Sequence, residues 1–83
     1  MSNTEAALAI RSTTRVVFLG DTAFAGHNLT AEDVVAGLAQ ATVTHDAGHG
    51  WHRIEFPSQG VTFCALVIVD IDTCKLFELV VKP

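Results

Sequence analysis

Three histidines and an aspartate fall within eight residues of a glycine-containing stretch. They are His45, Asp46, His49 and His52. Neutral imidazole nitrogen is a good ligand for Zn²⁺ and related ions, and a carboxylate can complete such a site. The two glycines of the stretch exclude a regular helix, so the rings can converge only across a hairpin, with His45 opposite His52 and His49 in the loop. One hypothesis is therefore a zinc-binding or metal-sensing site formed by His45, His49 and His52.

The same histidines also have a structural interpretation. His45 and His52 could close one end of the core with their polar tips toward water, while His49 is simply solvated. No Cys or Glu stands at a recognised ligand spacing from them. We therefore expect a protein without a cofactor and keep Zn²⁺ as the alternative.

Nucleophilic catalysis has weaker support. Cys64 lies in an apolar run that is typical of an inert buried thiol, and Cys74 has no histidine near it in the sequence. Ser58 lies in a turn composition without a Gly-x-Ser-x-Gly setting. We expect a protein that is not an enzyme, and a small enzyme whose two copies share a pocket is the third hypothesis.

The elements that must position these residues are strands and one clear helix. Residues 42–81 read as a meander with turns at 46–50, at 57–60 and around Asp72. The turns pair Val43 with Ile54, Phe56 with Val61, Ile54 with Phe63, Phe63 with Val81, and Val67 with Phe77. One face is then Val43, Ile54, Phe56, Val61, Phe63, Val67, Val69, Phe77, Leu79 and Val81. The other face carries Cys64, Leu66, Ile68, Leu76 and Val80.

The helix is predicted from Ala31 to Ala41. Thr30 is its N-cap and Asp33 stands three residues later, a variant of the capping box. Its apolar stripe is Val34, Val35, Leu38 and Ala41. Before it, residues 15–19 read as a strand, followed by a turn at Gly20-Asp21 and a short returning segment at Phe24. Residues 4–10 are either a short helix or an extension of that strand.

One helix can cover only one face of this sheet. Each large apolar side chain left in water forgoes about 1.5–3 kcal/mol, so the second face needs a cover. Either residues 6–10 fold over it, or it is an interface, by sheet stacking or by edge pairing. We favour the interface. The expected partner-binding residues are Trp51, His49, Leu66, Ile68, Leu76 and Val80.

Length and charge narrow the classes of function. The 83 residues suit a single domain, 1–83, with 1–10 as a flexible or partner-covering segment. Five basic and nine acidic residues, a formal net charge of −4, disfavour direct nucleic-acid binding. No run is long enough to span a membrane and no signal-peptide pattern opens the chain. Cys64 faces Val80 and should not reach Cys74, and two reduced thiols indicate a cytoplasmic protein.

Two families share parts of this layout. The order of strand, Gly-Asp turn, Phe24 and capped helix over residues 15–41 resembles the opening of a ubiquitin-like β-grasp module. The helix followed by an antiparallel meander is similar to small ribonuclease toxins of the RelE class, whose RNA binding implies basic residues that this chain does not concentrate. Neither resemblance transfers a functional residue.

The expected fold class is α+β, with one main helix on a four- to five-stranded, mainly antiparallel sheet in the order β-α-β-β-β-β. The expected function is that of a small acidic protein-binding module. It would act as an inhibitor, adaptor or accessory factor on a larger protein, and small inhibitors of phages and mobile elements have this size. A homodimer is expected.

Overall fold

A computed structural model of the chain describes residues 2–19 and 29–83. The turn expected at Gly20-Asp21 and the segment at Phe24 lie outside these residues. Within the described ranges the elements are α1 (Asn3–Arg11), β1 (Arg15–Phe18), α2 (Ala31–Leu38), β2 (Thr42–Gly48), β3 (Trp51–Ser58), β4 (Val61–Asp70) and β5 (Thr73–Val81).

Helix α2 begins where the sequence predicts it. The Asp33 N–H donates to Thr30 Oγ1 (3.1 Å) and the Thr30 N–H donates to the Asp33 carboxylate (3.0 Å), which is the reciprocal capping box. The helix ends at Leu38, earlier than the predicted Ala41, although Ala41 is still buried. Val34 and Leu38 bury the apolar stripe against the sheet.

The N-terminal segment is a helix, one of the two forms that the sequence allowed. Ser2 caps α1 by accepting the Glu5 N–H, and Ala6 and Ile10 are buried. Both side chains belong to the same core cluster as Val34 and Leu38 of α2. Neither described helix combines the length and the apolar character needed to cross a membrane.

The five strands form one mixed sheet in the order β1-β5-β4-β3-β2. Strands β2 to β5 are an antiparallel meander, as predicted, while β1 pairs parallel to β5. The fold is therefore α+β, with a sheet that is mixed rather than purely antiparallel. The pairing of the first strand with the last depends on contacts between distant parts of the chain, which local periodicity does not encode.

The β3–β4 turn is shorter than the sequence composition suggests. Only Gln59 and Gly60 form it, both with positive φ (53° and 77°), which suits a tight two-residue hairpin. Phe56 consequently pairs with Phe63 rather than with Val61, and Ile54 with Ala65 rather than with Phe63. Each pairing moves by two residues, so every side chain stays on its predicted face.

A bulge between β4 and β5 changes the face of two residues. Leu66 pairs with Glu78 and Val67 pairs with Leu76, which leaves Phe77 as the extra residue. The predicted pairing of Val67 with Phe77 is therefore wrong. Leu76 is fully buried in the core, whereas Phe77 is 54% exposed on the other face.

Both helices pack on one face of the sheet. The core combines Ala6, Ile10, Val34 and Leu38 of the helices with inward residues of the strands. These strand residues are Ile54, Phe56, Phe63, Ala65, Val67, Cys74, Leu76 and Leu79. Helix α1 thus packs on the same face of the sheet as α2, and the alternative in which residues 6–10 cover the second face is wrong.

Candidate functional site

The second face of the sheet, here called the open face, carries an apolar strip. Its apolar members, on β3, β4 and β5, are Trp51, Cys64, Leu66, Ile68, Phe77 and Val80. Among the described residues no helix or strand lies over this strip. Phe77 and Val80 are more than half exposed, while the others are half-buried by their neighbours. An apolar strip on a face that no described element covers is typical of an interaction surface.

Two aromatic rings form the most prominent part of the open face. Trp51 of β3 and Phe77 of β5 meet edge to face, with ring centroids 6.3 Å apart and planes at 74°. Beside them is a shallow groove of about 300 Å³. It is lined by Ala47, Gly48, His49, Trp51, Leu66 and Phe77. A groove with these walls accepts a large apolar side chain of a partner.

The β4–β5 bulge creates this arrangement. Leu76 and Leu79 point into the core, so the two residues between them, Phe77 and Glu78, both point to the open face. A regular strand would have alternated and placed only one of them there. The extra outward residue is the ring that meets Trp51.

Two ion pairs cross the apolar strip, and the first spans β4 at Leu66, which pairs with Arg53 on one side and with Glu78 on the other. Arg53 Nη1 lies 3.2 Å from Glu78 Oε2, and Lys82 Nζ lies 3.0 Å from Glu55 Oε1. All four side chains keep partial contact with water, so each pair adds only about 0–1 kcal/mol to folding. Together with Lys75, these residues carry a formal charge of +1 on the open face, in a chain whose formal net charge is −4.

The histidine stretch does not form the cluster that the sequence allowed. Irregularities in β2, between Val43 and His45 and between Asp46 and Gly48, shift the register, so His45 pairs with Arg53 and Asp46 with His52. The predicted pairing of His45 with His52 is wrong. Across residues 2–19 and 29–83, no three His, Cys, Asp or Glu side chains lie close enough to share a metal ion. The zinc hypothesis thus loses the geometry on which it depended.

Each member of the stretch has another environment. His49 is exposed at the turn with φ 55°, and the Asp46 carboxylate accepts the Gly48 N–H at 2.9 Å. The His45 ring lies 3.1 Å from the Thr44 hydroxyl. His52 points into the core, 5% exposed, and its Nε2 is buried without a hydrogen-bond partner among the described residues. The predicted water-facing tip of His52 is therefore wrong.

The two thiols differ in environment. Cys64 lies half-buried on the open face opposite Val80, as the sequence predicts. Cys74 is fully buried, and burial raises the pKa of its thiol to about 12. A raised pKa keeps this thiol protonated near neutral pH, which is the reverse of the activation that a nucleophile needs.

Most of the partner-binding residues expected from the sequence share the open face. Trp51, Leu66, Ile68 and Val80 lie on it, and His49 lines the groove at one end. The prediction that Leu76 binds a partner is wrong, because Leu76 is buried in the core. Phe77 was missed, and only recognition of the bulge could have found it: regular alternation assigns Phe77 to the core.

Comparison of the chain with protein-family models, curated proteins and solved structures finds no match, so its function has to be inferred from the open face itself.

Proposed function

We propose that this chain is a small, non-enzymatic protein-binding module that docks on a larger protein through its open face. The observation that carries the proposal is the contact of Trp51 with the half-exposed Phe77 beside an open groove, on a sheet face that no described element covers. Its role would be that of an inhibitor, adaptor or accessory factor, because docking alone requires no reactive group.

The energetics favour association. Full burial of a side chain of this size contributes about 1.5–3 kcal/mol, and because Phe77 and Val80 are about half exposed, covering each adds roughly half of that before the losses of rigid-body freedom. Trp51 belongs to the residue type that most often dominates binding energies, and it lies beside a groove that a partner side chain can fill. The open face combines apolar side chains with the Arg53–Glu78 ion pair, and protein interfaces likewise combine apolar and polar contacts.

The cysteines support a cytoplasmic location as part of the proposal. Cys64 and Cys74 are both free thiols, and they lie on opposite faces of the sheet. Free thiols persist in a reducing compartment. Cys64, half-buried at a docking surface, would otherwise be open to oxidation.

Site-specific photocrosslinking in the native host tests the proposal. A photoreactive phenylalanine analogue replaces Phe77 in one variant and Leu8 in another. Leu8 is the matched control, since it is 59% exposed against 54% for Phe77 but lies on α1, away from the open face. Crosslinked products are separated by mass and identified by peptide sequencing.

We expect the Phe77 variant to form one discrete crosslinked product and the Leu8 variant to form none. A product at Phe77 that disappears when Val80 is changed to Glu in the same chain would tie the contact to the open face. No product at Phe77, or the same products at both positions, would overturn the proposal.

A further inference from the structure

We infer that a small cavity beside α1 is a binding site for a neutral molecule of about four to six heavy atoms that carries one hydroxyl group. The site is separate from the groove of the open face, and the inference does not depend on the proposed docking function. Three features carry it: an enclosed space at one end of the sheet, a buried imidazole in its wall, and the apolar character of the rest of that wall.

The cavity lies between α1 and the end of the sheet at which β3 begins and β4 ends. Its volume is about 120 Å³, and it is more enclosed than the groove beside Trp51. It is lined by Ala6, Gly50, His52, Ile68 and Val69. Gly50 is exposed at the β2–β3 turn, whereas Ala6 and His52 are buried, so the cavity leads from the surface toward the core.

His52 brings an unpaired polar group to this wall. The residue is 5% exposed, and its Nε2 has no hydrogen-bond partner among the described residues. A buried nitrogen without a partner is unfavourable, because it has lost its hydrogen bond to water. The χ2 torsion of histidine is broad, so the ring can turn Nε2 toward a group inside the cavity at little cost. A ligand in the cavity would supply the missing hydrogen bond.

A hydroxyl group suits this imidazole best. In a neutral imidazole one ring nitrogen donates a hydrogen bond and the other accepts one, and a hydroxyl group can pair with either. A carboxylate or an ammonium group would have to leave water, and none of the five lining residues carries a fixed charge that would compensate it. The chemistry of the wall therefore favours a neutral alcohol over an ion.

The rest of the wall sets the size and the apolar body of the ligand. The side chains of Ala6, Ile68 and Val69 are all aliphatic. An apolar cavity of about 150 Å³ holds benzene, so one of about 120 Å³ suits a slightly smaller molecule. Isobutanol has this size, a branched apolar body and a single hydroxyl group, and it is the probe for the site.

The test is an NMR titration of the purified full chain with isobutanol. Methyl spectra monitor Ala6 and Val69 in the cavity, with the exposed Leu8 and Val80 as references outside it. The nitrogen resonances of the His52 ring report its hydrogen bonding. Two comparison ligands are titrated in the same way: isobutyrate, which has a similar carbon skeleton but a negative charge, and xenon, which forms no hydrogen bond.

We expect saturable shifts of the Ala6 and Val69 methyl groups, with a dissociation constant in the millimolar range, and a shift of a His52 ring nitrogen. The methyl groups of Leu8 and Val80 should show no saturable shift. Isobutyrate should leave the cavity methyl groups unchanged, because its charge would be buried without a partner. Xenon should shift the same methyl groups as isobutanol, since it fills apolar cavities without a hydrogen bond.

The variant His52→Leu removes the hydrogen bond and keeps an apolar wall. It should weaken isobutanol binding by about 3- to 10-fold and leave xenon binding in place. The control His45→Leu replaces an exposed histidine and should bind isobutanol as the parent does. If His52→Leu does not fold, the ring nitrogen shift of the parent decides, because contact without a hydrogen bond would leave it nearly unchanged.

Several results would overturn the inference. Xenon binding without isobutanol binding, or equal isobutanol affinity in the parent and His52→Leu, would show that the imidazole takes no part. Binding of isobutyrate in place of isobutanol would identify a site for anions instead. No response to any of the three ligands would mean that ordered water or closer packing fills the space. Each of these results leaves the docking proposal intact, because His52 points away from the open face.

Discussion

Trp51 on β3 and Phe77 on β5 meet edge to face across the intervening strand β4, with ring centroids 6.3 Å apart. Contact over this distance is possible because the bulge at Phe77 turns the second ring to the same face as the first. The pair links the two strands that flank the centre of the sheet. It also lines the groove that the proposed partner would fill.

Removing the phenyl ring should therefore expose the indole. Trp51 is the single tryptophan and the chain has no tyrosine, so its fluorescence reports this one site. Phe77→Ala should shift the emission to longer wavelength, increase quenching by acrylamide, and lower the free energy of unfolding by about 0.5–1.5 kcal/mol. Leu8→Ala, at an exposed position on α1, should alter neither reading. An unchanged spectrum in Phe77→Ala would contradict the ring contact.

Gly37 allows α2 to approach β3 closely. A Cβ at this position would lie 2.6 Å from Phe56 Cδ2 and 2.6 Å from the Pro57 carbonyl oxygen. Gly37→Ala should therefore lower the free energy of unfolding by about 1–3 kcal/mol, despite the better helix propensity of alanine. Urea denaturation measures this change in the free energy of unfolding. The control Ala36→Gly, at the exposed neighbouring position, should lower the free energy of unfolding by only about 1 kcal/mol, through its poorer helix propensity. A Gly37→Ala variant that is more stable than the parent would show that α2 does not approach β3 so closely.

Ile71 holds a strained conformation in the β4–β5 turn. Its φ is 57° and its side chain is 91% exposed, so a β-branched residue occupies the left-handed region without burial to offset the strain. Ile71→Asn should raise the free energy of unfolding by about 1 kcal/mol, because asparagine tolerates this conformation. Ile71→Val keeps the branching and should give no gain. A loss of stability in Ile71→Asn would refute this explanation of the turn.

His52 buries a ring nitrogen that has no partner among the described residues. A buried polar atom without a hydrogen bond costs about 1–3 kcal/mol, so His52→Leu should match or exceed the parent in thermal and urea stability at neutral pH. The exposed His45→Leu is the control and should change little. A clear loss of stability in His52→Leu alone would mean that Nε2 has a partner in solution, for instance an ordered water.

Cys74 should make stability depend on alkaline pH. Its folded pKa of about 12 lies above the ordinary value of 9.0, because burial disfavours the thiolate. Below pH 9 the thiol is protonated in both states and the full stability is present. Between pH 9 and 12 the unfolded chain loses this proton and the folded chain does not, so unfolding becomes easier by up to about 1.4 kcal/mol per pH unit.

Cys74→Val removes that titration while keeping an apolar side chain of similar size. The parent should lose stability faster than Cys74→Val above pH 9, as measured by urea denaturation at a series of pH values. Cys64→Val, on the open face, should retain the parent's steep decline. Identical slopes for the parent and Cys74→Val would contradict the burial of this thiol.

The sequence predicts the correct face for each side chain where the strands are regular, and the wrong face where a strand is irregular. Residues from Ile54 to Val69 were assigned to the correct faces, because a two-residue error in the β3–β4 pairing preserves the alternation. Leu76 and Phe77 were exchanged, since one bulge inverts the alternation on one side of it. The residues of the open face on β3 and β4 were thus predicted, whereas Phe77 on β5 was missed.

The prediction of a histidine site is also wrong because of strand irregularity, in this case in β2. Spacing within the stretch allowed His45 to face His52, but two register shifts in β2 pair them with other residues. Sequence spacing fixes which side chains are close along the chain. It does not determine where a hydrogen-bond ladder gains an extra residue, because that depends on how both strands pack.

By itself, the sequence determined the local features of this protein: the α2 helix with its Thr30 and Asp33 capping box, the antiparallel meander and the presence of excess apolar sheet surface. These follow from side-chain periodicity and short-range hydrogen bonds. Only the tertiary structure decided that α1 packs on the same face of the sheet as α2, that β1 joins the sheet parallel to β5, and that Phe77 lies on the open face with Trp51. Those outcomes arise from contacts between distant residues, which compete for the same surfaces and are settled only when the whole core is packed.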